Sequence, residues 1–215
     1  QVQTYLLLRD EGPTSILFES TDYHSREDAH SVVAIDPLET LSLNRAEVKA
    51  QGYAQAIETF MSGIHCEGAR EKGGFLGVYG TTNFEAVCGM DEDCHPHPGD
   101  DPEEKLVQYS LFRFVMIFNH FKQVLDCWEF CPEGESTKMP YLLKRLASPV
   151  PAPPPFLKSG VEMSSLSRSQ FEDIVRKGIR QCREGEVFQV VYSRHFSQAF
   201  KGDDFQVYRA LRSIN

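Results

Sequence analysis

Two neighbouring stretches decide the fold: Leu111-Phe-Arg-Phe-Val-Met-Ile-Phe118 and Val124-Leu-Asp-Cys-Trp-Glu-Phe130. Both are rich in branched and aromatic side chains, which favour β-strands. A short interval that begins with Asn119-His-Phe121 separates them. Because a connection of this length usually joins antiparallel neighbours, the pair predicts a β-hairpin that turns around residues 119–121.

Four shorter apolar stretches precede this hairpin and are typical of strands: residues 5–8, 16–18, 32–35 and 75–79. Between the last two, apolar side chains recur at helical spacing and predict one helix with a single buried face: Ala46, Ala50, Tyr53, Ala54, Ile57, Phe60 and Met61. Residues 81–104 alternate Gly, Pro, His and acids, which indicates a long surface excursion. We expect an α+β fold, a largely antiparallel sheet with outer helices.

Proline dominates the run Ser148-Pro-Val-Pro-Ala-Pro-Pro-Pro-Phe156, which can form neither a helix interior nor a sheet ladder. This run marks a domain boundary. We assign residues 1–147 to an amino-terminal domain, residues 148–158 to a proline-rich linker and residues 159–215 to the start of a second domain.

The second domain begins with a clear helix signal. Ser167 and Gln170 have the spacing of a capping box, which predicts a helix over 168–184. Residues 186–193 are apolar on both faces and predict a strand, and residues 203–214 resume helical spacing. Two helices and one strand are too few to bury all of their apolar faces by themselves. We therefore expect this domain to be truncated.

The composition excludes several classes of partner. Hydrophobic residues make up 41% and charged residues 25% of the chain, as in globular proteins. The formal net charge is -9, which repels phosphate backbones and anionic lipids, so we expect neither nucleic acid nor membrane as a partner. The apolar stretch 114–118 is far shorter than the roughly 18 residues that a membrane-spanning helix needs.

The cysteines point to a reducing compartment. There are six, and their sparse spacing shows no disulfide framework. Residues 1–5 lack the basic and apolar segments of a secretory signal, so we expect a cytoplasmic protein with reduced thiols. Cys88, Cys94, His95 and His97 are possible metal ligands, but their spacing matches no standard zinc arrangement, and we predict no metal site there.

Three strings occur together in the order that one enzyme family shows: Ile16-Leu-Phe-Glu-Ser-Thr21, Gly73-Gly-Phe-Leu-Gly-Val-Tyr79 and Gly185-Glu-Val-Phe-Gln-Val-Val-Tyr-Ser-Arg-His-Phe196. The chain resembles anthranilate synthase component I, a chorismate-utilising enzyme, over essentially its whole length. The resemblance implies the lyase reaction of tryptophan biosynthesis, which converts chorismate and ammonia to anthranilate and pyruvate. It also implies a glutamine amidotransferase subunit that supplies the ammonia.

The resemblance implies Mg²⁺ in the full-length enzyme as well. The family's magnesium-binding glutamates, and most of its chorismate contacts, correspond to sequence beyond residue 215. We therefore expect no metal bound to this fragment, and we expect the fragment to be inactive by itself.

Gln189 is the catalytic candidate. It resembles the position where related isochorismate and salicylate synthases carry a lysine, which can deprotonate water. An amide cannot do so, whereas ammonia already has a lone pair and needs no deprotonation, so the amide suits amination. The alternative is that Gln189 only satisfies a buried backbone group.

Glu19 and Ser20 close the predicted strand 16–18 with a carboxylate and a hydroxyl, groups suited to receiving an ammonium. In the resemblance they match an allosteric tryptophan pocket for feedback inhibition, to which His30 and Asn215 also belong. Many relatives have a lysine where this chain has His30. Asn215 would begin an Asn-Pro-Ser-Pro-Tyr segment that completes the pocket, so we expect weak tryptophan binding here. The alternative for Glu19 and Ser20 is a strand end followed by a turn at Asp22.

Two other functions stay open. Aminodeoxychorismate synthase component I is closely related and stops before pyruvate is lost. Relatives of that type often have Asn after Gln-Val in the strand, where this chain has Val191, which favours anthranilate as the product. The second alternative is a module that only regulates or docks a partner.

Overall fold

The computed structural model describes residues 1–20, 29–68, 74–91, 93–95 and 99–214. The chain divides into two compact units, Gln1–Pro151 and Ala152–Asn215. This division falls inside the predicted linker 148–158. The assignment of the two parts to family domains stays a prediction.

The first unit is built on one antiparallel sheet, which confirms the predicted fold class. Its strands are β1 (Ser15–Phe18), β2 (His30–Asn44), β3 (Val78–Thr82), β4 (Lys105–Asn119) and β5 (Val124–Glu129). The strand order is β1-β2-β4-β3, and β5 also pairs with β4. β2 and β4, each of 15 residues, pair from His30↔Asn119 to Asn44↔Lys105.

Strand β4 is the centre of this sheet. It pairs with β2 along one edge, and its other edge pairs with β3 over residues 107–111 and with β5 over residues 114–119. The β4–β5 hairpin confirms the predicted hairpin, with the Asn119↔Val124 pair next to the turn.

Side chains of β2 and β4 alternate between two apolar layers, as the two-residue period of a strand requires. One layer contains Val33, Ile35, Phe114 and Met116 with Leu7, Leu8 and Leu142. The opposite layer contains Val32, Ala34, Phe112, Val115 and Ile117. A third cluster contains Leu43, Val48, Ala56, Ala86, Leu106 and Val107.

The helices of this unit are α1 (Val2–Leu8), α2 (Arg45–Gln51), α3 (Tyr53–Ser62) and α4 (Met139–Leu146), and a 3₁₀ helix spans Phe84–Gly89. The strand predicted at 5–8 is wrong, because α1 contains these residues. Leu8 is fully buried against the sheet together with Leu142 of α4. A short apolar run is compatible with either a strand or a buried helix, and packing selects the helix here.

The single helix predicted over 46–61 is also wrong. Gly52 has φ 78° and ψ 132°, outside the helical region, and it separates α2 from α3. In α2 the buried side chain is Val48, whereas the predicted Ala46 and Ala50 are exposed. In α3, Tyr53, Ile57 and Phe60 of the predicted face are half-buried and lie beside the buried Ala56. The region predicted as a surface excursion, 81–104, contains the end of β3 and the 3₁₀ helix among its described residues.

The second unit contains α5 (Arg168–Glu184) and α6 (Phe205–Arg212) with two short strand pairs. β6 (Leu157–Lys158) pairs with β9 (Phe200–Lys201), and β7 (Met163–Ser164) pairs with β8 (Phe196–Ser197). The Ser167–Gln170 capping box opens α5 as predicted. Gly185 ends the helix with φ 81°, in the left-handed region that glycine adopts without strain.

The strand predicted over 186–193 is absent from the described structure of this unit. A strand needs a partner for its backbone groups, and the described strands of the unit pair with one another. Tyr192 instead packs against α5: a Cβ added at Gly178 would lie 2.4 Å from its ring, and its hydroxyl donates to Gln181 Oε1 at 3.2 Å. Phe188 and Val191 are fully or largely exposed.

Across the described ranges, the helices are too short or too polar to cross a bilayer.

Candidate functional site

One end of the sheet brings together three of the sequence-predicted site residues. Glu19 and Ser20 follow directly after β1, and His30 is the first residue of β2. The last pair of the β1–β2 ladder is Phe18↔Val32. Because the strands are antiparallel, continuing this register by two residues places Ser20 opposite His30. The fourth predicted residue, Asn215, lies outside the described residues.

A buried hydroxyl holds the backbone of Ser20. The Ser20 amide donates to Ser31 Oγ at 3.2 Å, and Ser31 Oγ lies 2.7 Å from His120 Nε2. The Ser31 side chain has no exposed surface. Sequence reasoning did not select Ser31 or His120, and the only available signal was that His120 falls in the predicted turn. These two residues extend the candidate site to the β4–β5 hairpin.

The Glu19 carboxylate is half-buried at this end. Its Oε1 accepts a hydrogen bond from Gln1 Nε2 at 2.9 Å, which connects it to the residue before α1. A carboxylate beside a serine is suited to receive an ammonium group, because charge-assisted hydrogen bonds are stronger than neutral ones. The arrangement is therefore chemically able to bind an amino acid by its amine.

His30 contributes an aromatic ring to this end of the sheet. Asn119 Nδ2 lies 2.9 Å from His30 Nε2. This contact fixes the His30 ring against the end of β4. The ring lies 4.8 Å from the ring of Phe75, centroid to centroid. This position therefore offers an aromatic surface where a lysine would offer a positive charge.

Aromatic rings surround this end of the sheet. Phe18 and Phe75 are 46% and 38% exposed, and the rings of Phe18 and Tyr79 lie 5.9 Å apart. The Tyr79 hydroxyl donates to the Phe75 carbonyl, and burial raises the pKa of Tyr79. A carboxylate, a serine and partly exposed rings thus occur together, which fits a ligand with both an amine and an apolar body.

Arg113 forms a separate charged cluster at the junction of β3 and β5. It is 4% exposed and contacts Asp36 at 3.1 Å, Glu135 at 2.9 Å and Glu129 at 3.8 Å. Three carboxylates around one guanidinium compensate its charge, and they tie β2 to the segment after β5. We interpret this cluster as structural, because each of the three carboxylates is paired with the Arg113 guanidinium.

Gln189 lies in the second unit, after α5 and outside any strand. Its side chain is exposed in this structure. It is flanked by Phe188 and Val190, which are 106% and 38% exposed. The catalytic role of Gln189 stays a prediction.

The described residues offer no group of three or more His, Cys, Asp or Glu side chains able to hold a metal ion. We assign no chemical step to magnesium within this chain. Of the possible zinc ligands, Cys88 and Cys94 lie close together, whereas His97 falls outside the described residues.

Comparison with known proteins supports the family resemblance. Residues 15–215 match the model of the chorismate binding enzyme family. Anthranilate synthase component 1 of Thermus thermophilus is 26% identical over 230 residues, which cover 100% of this chain and 48% of that protein. The enzyme of Aquifex aeolicus is 42% identical over 52 residues, or 24% of this chain and 10% of that protein.

The fold is also found among solved structures. Anthranilate synthase component I from Streptococcus pneumoniae TIGR4 superposes with a TM-score of 0.64 at 20% identity, covering 95% of this chain and 48% of that one. The chain therefore spans about half the length, or less, of the relatives it matches. Because the family model matches most of its residues, the chain belongs to the chorismate binding enzyme family, and within that family it resembles anthranilate synthase component I.

Proposed function

We propose that the complete protein is the aminating subunit of anthranilate synthase, and that this chain is its amino-terminal part. The complete subunit converts chorismate and ammonia to anthranilate and pyruvate, and a glutamine amidotransferase partner supplies the ammonia. The names of the relatives support this reading, and so does the convergence of Glu19, Ser20 and His30 at one end of the sheet. A cytoplasmic location and a requirement for Mg²⁺ in the complete enzyme belong to the same proposal.

Within this proposal, the sheet end of the first unit is the feedback site for L-tryptophan. The Glu19 carboxylate receives the amine of the ligand, and Ser20 contributes a short polar contact. The exposed faces of Phe18 and Phe75 are available to its indole ring. We expect residues 1–215 alone to bind tryptophan weakly.

Gln189 is the catalytic residue in this proposal. Its neutral amide hydrogen-bonds the attacking ammonia without removing a proton from water, which favours amination over hydration. The exposure of Gln189 and its apolar neighbours is compatible with a role that requires the rest of the catalytic domain. The second unit supplies only part of the site in this scheme.

The decisive experiment uses the complete protein with chorismate, ammonium and magnesium, with the products identified by mass spectrometry. We expect anthranilate and pyruvate in equal amounts. Accumulation of aminodeoxychorismate without pyruvate would instead assign the related synthase. Residues 1–215 alone should form no anthranilate, and detectable product from them would contradict the proposal that the catalytic groups lie elsewhere.

The feedback site is tested separately with Glu19→Gln in the complete protein. Loss of a charge-assisted hydrogen bond should weaken inhibition by tryptophan about 10-fold or more, with kcat unchanged. Glu39→Gln is the matched control, because Glu39 is exposed and lies further along β2. Equal tryptophan sensitivity of the two variants would exclude Glu19 from the site.

A further inference from the structure

We propose that Cys88 and Cys94 form a reversible disulfide, so that the first unit has a redox-modifiable site. Their sulfur atoms lie 2.6 Å apart, and both thiols are free and half-buried in this structure. The separation exceeds the bond length of a disulfide, about 2.05 Å, by about half an ångström. Only a small side-chain movement separates the two states.

The backbone fixes the position of Cys88. It lies in the 3₁₀ helix Phe84–Gly89, in which Ala86 is 1% exposed. The next residue, Gly89, packs so tightly that an added Cβ would lie 2.5 Å from Val48 Cγ1 of α2. This helix is therefore anchored on the core and cannot move Cys88 away at low cost.

The chain then turns back and brings Cys94 to Cys88. The amides of Met90 and Asp91 both donate to the Val87 carbonyl at 2.9 Å, and the Cys94 amide donates to the Asp91 carbonyl at 3.3 Å. The approach of the two sulfurs thus follows from backbone hydrogen bonds as well as from side-chain rotamers.

The pair is specific within the molecule. Cys66, Cys131 and Cys182 are exposed and Cys127 is half-buried. Among the hydrogen bonds of the described residues, only the one between Cys88 and Cys94 joins two sulfur atoms. The other four thiols therefore serve as internal controls.

Oxidised glutathione, a small-molecule disulfide, is the co-reactant. One cysteine thiolate attacks a glutathione sulfur and releases one glutathione thiolate, which gives a mixed disulfide. The second cysteine thiolate attacks the protein sulfur of that bond and releases the second glutathione. The two protein thiols lose two protons and two electrons, and one glutathione disulfide becomes two thiols. The hydrogen bond with Cys88 is the main cause that raises the pKa of Cys94. Because the thiolate is the form that attacks, the reaction accelerates with rising pH.

The test equilibrates the complete protein with mixtures of reduced and oxidised glutathione, followed by acid quench, alkylation and tryptic mass mapping. Both cysteines lie in one tryptic peptide, residues 73–105. We expect this peptide to lose two hydrogens and both alkylation sites together. Alkylation of both cysteines in this peptide, even in excess oxidised glutathione, would overturn the proposal.

Three variants and one unfolded control complete the test. Cys88→Ser and Cys94→Ser should each trap one glutathione on the remaining cysteine, whereas Cys127→Ser should still form the disulfide. The chain unfolded in guanidinium should need at least 10-fold more oxidised glutathione for half-oxidation, because it lacks the fold that holds the pair. An equal requirement for folded and unfolded chains would show that the structure does not promote this bond.

Discussion

Ser31 Oγ and His120 Nε2 lie 2.7 Å apart, although 89 positions separate them in the sequence. The contact joins the start of β2 to the turn that follows β4. Because the same Oγ accepts the Ser20 amide, one buried hydroxyl links the β4–β5 hairpin to the strand end that carries Glu19 and Ser20.

Replacing Ser31 by Ala should destabilise the first unit and disturb the position of Ser20. The change removes one hydrogen bond from the Ser20 amide and one from the His120 ring, and each such bond contributes about 0.5–1.5 kcal/mol. Urea unfolding measures the loss, and amide exchange at Ser20 should accelerate. Ser62→Ala is the control, since the exposed Ser62 hydroxyl donates only to the Thr59 carbonyl. Equal stability of both variants would show that the Ser31 contact contributes nothing.

Gly80→Ala should weaken the pairing of β3 with β4. An added Cβ at Gly80 would lie 1.8 Å from the Gln108 carbonyl oxygen and 2.6 Å from Tyr109 Cα, both backbone atoms of β4. The strands would have to separate, at a cost of roughly 1–3 kcal/mol or more. Gly77→Ala is the matched control, because nothing lies within 4 Å of a Cβ there. The prediction fails if the two variants unfold at the same urea concentration.

Glu129 should make the first unit more stable above about pH 4.5 than below it. Burial alone would raise the pKa of Glu129, but hydrogen bonds from Thr137 and from the amides of Lys138 and Met139, together with Arg113, lower it overall from 4.5. A carboxyl whose pKa is lower in the folded state stabilises that state above its unfolded pKa. This stabilisation is lost as the pH falls through the folded pKa.

Unfolding free energies measured from pH 7 to pH 3 test this prediction. Glu129→Gln should show a flatter decline at acid pH than the unmodified chain, since the amide does not titrate. Glu39→Gln, at an exposed position of β2, should retain the original slope. A steep acid decline that persists in Glu129→Gln would assign the effect to other carboxylates.

Gln189→Lys in the complete protein should redirect the reaction. A lysine that loses its proton can activate water, so we expect isochorismate to appear while anthranilate formation falls. Chromatography of the products with mass detection measures both. Gln198→Lys provides a control at an amide that already donates to Ser159 and Ala199 carbonyls, and it should form no isochorismate. Unchanged amination by Gln189→Lys, without isochorismate, would remove Gln189 from the surroundings of the nucleophile.

Adjacent residues are enough to predict the elements whose structure depends on local sequence. The β4–β5 hairpin and the capped helix α5 were predicted from adjacent residues, and both occur in the structure. Glu19, Ser20 and His30 could be selected as site residues only through the family resemblance. That they share one sheet end follows from the β1–β2 register, which a single strand does not reveal.

The wrong secondary-structure predictions concern segments whose structure depends on long-range packing, on a glycine conformation or on a partner strand. Residues 5–8 form a helix because Leu8 packs on the sheet, and no pattern of four apolar residues encodes that choice. Gly52 divides the predicted helix by its positive φ, which helical periodicity does not register. Residues 186–193 have the composition of a strand, but the second unit presents no partner strand to them in its described part.

The central position of β4 has a consequence for how the chain is synthesised. β2 begins at His30, whereas its partner ends at Asn119, so the long β2 pairing joins distant parts of the polypeptide. As the chain emerges from the ribosome, the apolar face of β2 stays exposed until β4 has followed it out of the exit tunnel. Since non-local strand pairing is slow and unpaired edges aggregate, the nascent protein is most exposed to misassociation during this interval.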